Sequence, residues 1–147
     1  MISKRREALK SSSQGKETRE VKTKSDNEGY ISFSFRYFQN NNQPPAQSLE
    51  DWNIDNSILD LLYSLVHISQ HNITKLQAEN KKLILYGKFP DRRVNEFSCP
   101  SELNTDENWG CLRNIGGQKA RVAGFLKNNI FYIVYLDKEH KFFKSSK

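Results

Sequence analysis

A chain of 147 residues has room for one domain of ordinary size. Lys and Arg number 23 against 17 Asp and Glu, a net charge of +6, and only 36% of residues are hydrophobic. Yet 12% are aromatic, too many for a chain that never folds. The longest unbroken apolar run, residues 130–136, is far short of the ~18–20 residues that span a bilayer. Residues 1–10 carry charges with no apolar stretch behind them, so no secretory leader is expected. Cys99 and Cys111 make neither a disulfide framework nor a zinc set. Together these features favour a cytosolic protein with no cofactor and no membrane partner.

The charge is unevenly placed. Residues 1–28 carry a net +3, residues 29–108 a net −3 and residues 109–147 a net +6. The first segment is rich in Ser, Lys, Glu and Gln and has almost no large apolar side chain, which predicts a disordered basic tail. Residues 29–147 are expected to form one domain. In residues 30–38, Ile31, Phe33, Phe35 and Tyr37 alternate with Ser32, Ser34 and Arg36, the period of a strand with one buried face. Residues 39–47, with three Asn and Pro44-Pro45, read as a loop. Glu50-Asp51 and Asp106-Glu107 read as solvated loop carboxylates.

Asp55-Asn56-Ser57 offers N-cap candidates, and Ile58, Leu61, Leu62, Leu65, Val66 and Ile68 keep helical spacing, predicting an amphipathic helix over 57–69. His67 and His71, on or just after it, read as packed or exposed side chains. A weaker helix is expected over about 72–81 with Ile73 and Leu76 inward, then a strand entering a loop over 82–94 and irregular structure over 99–108. Three strands follow at 109–115, 119–126 and 130–136, separated by turns at Gly116-Gly117 and Asn128-Asn129. The expected fold is α+β, with two helices packed on one face of a mainly antiparallel sheet that ends in a C-terminal β-meander.

Asn128-Asn129 suits a two-residue type I′ turn, since Asn tolerates positive φ at both positions. That register sets Phe125 opposite Tyr132, Ala123 opposite Val134, Arg121 opposite Leu136 and Lys119 opposite Lys138, with His140 next on the same face. Asp137 would oppose Ala120 on the other face and end the strand. A three-residue turn at 116–118 would add Arg113 opposite Arg121, whereas a two-residue turn would point it away. Such a cluster of cations either splays into water or holds an anion. Arginine matches a phosphate with two parallel N–H donors, and a histidine titrating near neutrality can move a proton. Arg121 and His140 are therefore the candidate catalytic pair for RNA cleavage, with Lys119, Arg113, Lys138 and Lys141 as phosphate contacts. The aromatics Phe33, Phe35, Tyr37, Phe131 and Tyr135 read as core rather than as base-stacking platforms.

The segment 109–143 (WGCLRNIGGQKARVAGFLKNNIFYIVYLDKEHKFF) resembles the C-terminal half of RelE/ParE-superfamily toxins of bacterial toxin–antitoxin pairs. The matching positions are Arg113 and Arg121 on the strands and Lys138, His140 and Lys141 at the end. The resemblance implies a ribosome-dependent mRNA endonuclease neutralised by an acidic antitoxin that covers the basic face. The chain is also similar to small uncharacterised bacterial proteins with a G-F…F-Y…L-D-x-x-H-K ending, here Gly124-Phe125, Phe131-Tyr132, Leu136-Asp137 and His140-Lys141. The alternative expectation is a non-catalytic module of a mobile element or phage, whose basic hairpin binds nucleic acid or a protein partner.

Overall fold

The structure, a computed structural model, describes residues 29–78, 81–117 and 119–144. The expected tail at 1–28 lies outside the described residues. Five strands form one sheet: β1 (Ser32–Ser34), β2 (Leu83–Leu85), β3 (Asn108–Leu112), β4 (Arg121–Lys127) and β5 (Ile130–Asp137). Their spatial order is β1-β5-β4-β3-β2, antiparallel throughout except for β1, which runs parallel to β5. Three helices connect β1 at one edge to β2 at the other: α1 (Leu49–Asn53), α2 (Ser57–Ser69) and α3 (Ile73–Ala78). The fold is α+β. Among the described residues no helix is long and apolar enough to cross a membrane.

Each face of the sheet is covered. On the helical face, Trp52, Leu61, Ile68 and Leu76 pack on Leu83, Leu112, Val122, Phe131, Ile133 and Leu136. The other face carries Trp109, Ala123, Phe125, Val134 and Tyr135 beneath Ala46, Phe97 and Phe142, which come from segments without regular structure. Aromatic edge-to-face contacts tie this layer together, with Phe89 set against both Trp109 at 4.8 Å and Phe142 at 5.3 Å.

Four expectations need correction. The first strand is three residues long rather than nine. Phe38 N–H bonds the Phe35 carbonyl in a turn, after which Tyr37 packs on the opposite side of the sheet from Ile31 and Phe33 while Phe35 is left exposed. A third helix, α1, stands where loop carboxylates were expected. Ser48 Oγ accepts from Asp51 N–H, and the Asp51 carboxylate accepts from Ser48 N–H, a reciprocal cap that starts the helix. Glu107 is no free loop carboxylate, since it pairs with Lys127 at 3.7 Å. Finally, Leu62 and Val66 of α2 face outward.

The register of β4 against β5 matters most for the site. Asn128 and Asn129 take φ values of 54° and 64°, as the tight turn requires, and Phe125 does pair with Tyr132. Between Ala123 and Gly124 the ladder slips by one residue, so that Ala123 pairs with Tyr135 and Arg121 with Asp137. Val134 is the extra residue of this bulge, and its carbonyl accepts from Gln39 N–H at 2.9 Å. Gly124 permits it, because a Cβ there would run into the Tyr132 carbonyl.

Candidate functional site

One inserted residue inverts the side-chain parity of everything beyond it. Without the bulge Lys138 would share the face of Arg121; with it, Asp137 takes the place of Leu136 opposite Arg121 and Lys138 turns to the helical face. There Lys138 Nζ donates to Asp55 at 2.8 Å and lies 5.5 Å from the Trp52 ring centroid. This contact, then the Ser57 hydroxyl, holds the Asp55 carboxyl down at about 2. Lys119 meets Glu139 at 3.3 Å instead of Lys138. Lys141 Nζ lies 3.9 Å from Glu96. The three lysines expected to bind phosphate therefore each face a carboxylate, and they do not converge on Arg121.

Arg113 does converge on it. The pairing of Leu112 with Val122, carried one step further, sets Arg113 opposite Arg121, as the longer turn required. On the other side, Leu83 pairs with Leu112, and Arg113 N–H bonds the Lys82 carbonyl at 2.8 Å. Carried one residue past β2 and β3, the pairing places Lys82 and Arg113 in a row with Arg121 and Asp137 of β4 and β5 at the end of the non-helical face, where Lys82 Nζ donates to the Asn114 carbonyl at 2.8 Å. Arg121 is only 8% exposed. Its Nη1 reaches Cys111 Sγ at 3.8 Å, and the Tyr86 hydroxyl lies 3.3 Å from the same sulfur. Arg113 Nη1 donates to the Lys81 carbonyl at 3.5 Å. The Nε atoms of both arginines are buried without a hydrogen-bond partner among the described residues. Two buried, charge-bearing donors left unpartnered are costly.

His140 is the row's neighbour. The Asp137 carboxylate is almost fully buried and accepts from Lys141 N–H at 2.8 and 2.9 Å and from Phe142 N–H at 2.9 Å. That closes a short loop which seats Phe142 in the aromatic layer and carries half-buried His140 at a left-handed φ of 62°. Burial, then the charge of Arg121, pushes the imidazole below its ordinary value, with Asp137 pulling the other way. His140 is therefore neutral at pH 7 and able to accept a proton. Burial raises the Asp137 carboxyl despite its amide donors, and it raises the Tyr86 phenol and Cys111 thiol, so both stay protonated. Lys82 is lowered by burial and by Arg113 beside it.

Lys82 and Tyr86 were not singled out from the sequence. They sit in a stretch whose strand is only three residues long, and their place in the row follows from pairing with β3, which no local pattern reveals. His67 and His71 belong to the helical layer, rings 4.3 Å apart, with His71 Nδ1 donating to the His67 carbonyl. Phe131 is fully buried, and the Tyr135 hydroxyl, held up at about 12 by burial, donates to the Ser98 carbonyl, so neither is free to stack a base. The chain matches no family model, no curated protein and no solved structure.

Proposed function

We propose that this chain binds the phosphate backbone of RNA at the Lys82–Arg113–Arg121 row and cleaves it with side-chain groups alone, as a RelE-like toxin would. The observation that carries the reading is the convergence of two guanidinium groups with unpartnered Nε donors on a neutral histidine. In the proposed reaction His140 takes the 2′-hydroxyl proton and the oxygen attacks the adjacent phosphorus. The 5′-oxygen then leaves as a hydroxyl, taking its proton from solvent water, and a 2′,3′-cyclic phosphate remains. Arg113 and Lys82 grip the phosphate, and Arg121 stabilises the negative charge that builds on it. An acidic antitoxin covering this end of the sheet is the corresponding partner.

The burial of Arg121 behind Cys111 supports a second reading, a module that binds the backbone without cutting it. One experiment separates them. The full chain is incubated with ribosome-bound mRNA in the presence of a chelator, and scission, cyclic-phosphate ends and retention are scored. Scission that disappears in His140→Ala while binding persists supports the nuclease. Retention weakened by Arg113→Ala, with no scission by the wild type, supports the binding module. If the folded wild type neither binds nor cuts, the anion site has no RNA role.

A further inference from the structure

Helix α2 is apolar on two sides. Leu61 and Ile68 are buried in the core, while Leu59, Leu62, Tyr63 and Val66 on the outer side remain 48%, 52%, 66% and 55% exposed. Their spacing of three, four and seven residues makes one stripe. Ile54, three residues before the helix, is 84% exposed. Neither Lys nor Arg occurs in α2, and its only acidic residue, Asp60, lies against Gly116. Stripes of this kind on soluble proteins mark surfaces that another molecule covers.

We propose that this stripe is covered by the same stripe of a second copy, two α2 helices packing antiparallel about a two-fold axis. Centred between Leu62 and Tyr63, the axis sets Leu59 against Val66 of the other copy and Leu62 against Tyr63, so every stripe residue meets an apolar counterpart. The ends match in charge. Glu50, exposed on α1, precedes the helix, whereas Lys75 lies beyond its C-terminal end, so antiparallel packing brings unlike charges together. Covering the five side chains removes roughly 500 Å² of surface from each copy, about 1,000 Å² in all, the lower bound for a specific interface. The acidic approach to the helix would be repelled by an anionic bilayer, which disfavours a lipid surface as occupant.

The test is sedimentation velocity of the full chain over a dilution series, with Leu62→Glu and Val66→Lys as exposed-site variants whose circular dichroism matches the wild type. A dimer that dissociates on dilution is expected, with the dissociation constant raised about tenfold or more in either variant. The double variant Leu59→Cys/Val66→Cys should oxidise to a covalent dimer, and Gln77→Cys, exposed on α3, should not. A wild type that stays monomeric at all concentrations overturns the proposal. So does a dimer indifferent to both charged variants, or monomers that float with neutral phosphatidylcholine vesicles instead of pairing. None of these results bears on the RNA site, which lies on the opposite face of the sheet.

Discussion

At His140 the local chemistry can be read out directly. Burial and the neighbouring arginines disfavour its charged form, and Arg121 acts more strongly than Arg113. The imidazole should therefore titrate below 6.5 by nuclear magnetic resonance. Its midpoint should rise in Arg121→Gln and rise less in Arg113→Gln. The linked stability effect has a definite sign. The folded imidazole binds its proton less readily than the unfolded one, so the unfolded chain takes up the proton first as pH falls. Stability contributed by neutral His140 is thus present at pH 7 and lost as pH drops below about 6.5. Denaturant titrations at pH 7.5 and pH 5.5 should show that loss in the wild type and less of it in Arg121→Gln. A midpoint unmoved by Arg121→Gln would mean that the guanidinium does not face the ring.

At the scale of elements, much of the fold was legible because its signals are local. The span 57–69 follows from helical spacing, and the 128–129 turn follows from two adjacent asparagines. The capping pair Ser48 and Asp51 is equally local, but Glu50-Asp51 reads as loop polarity when the serine three residues before Asp51 is left out, and that hides α1. The register beyond the hairpin was not legible, because it depends on a bulge set by the approach of the Tyr132 carbonyl to Gly124. A glycine inside a strand pattern was the available signal. Its consequence is the larger part of the site: Asp137 replaces Leu136 opposite Arg121, and Glu139 replaces Lys138 beside Lys119. Gly124→Ala should destabilise the fold by about 2 kcal/mol or more in equilibrium denaturation, since the clash is with backbone and cannot be relieved by a rotamer. If the strand relieves it by straightening, Lys138 leaves the helical face. The Asp55 carboxyl, held at about 2 by that lysine, should then climb toward its ordinary value of 3.8. A Gly124→Ala protein as stable as the wild type, with Asp55 still near 2, would show that the bulge does not fix the register.

Across the whole molecule, the positive charge concentrated in residues 109–147 is largely matched by carboxylates, most of them from earlier in the chain. Lys119, Lys127, Lys138, Lys141 and Lys144 face Glu139, Glu107, Asp55 and, for the last two, Glu96. Exposed pairs like these are weak, but each leaves a negative charge next to any phosphate that displaces it. Arg113 has no such acidic neighbour within ion-pair distance among the described residues, and its Nε is unsatisfied. The salt dependence of RNA binding should therefore be carried by arginine rather than by lysine. Each phosphate contact on a single strand adds about 0.7 to the slope of log affinity against log salt concentration. Arg113→Gln should flatten the slope by about that amount, whereas Lys119→Gln, Lys138→Gln and Lys141→Gln combined should change it much less than the roughly 2 expected of three free contacts. Comparing variants within the full chain cancels the contribution of residues 1–28. If the triple lysine variant flattens the slope by the full amount and Arg113→Gln does not, the interface is the lysine face expected from the unbulged register, and the arginine row is structural.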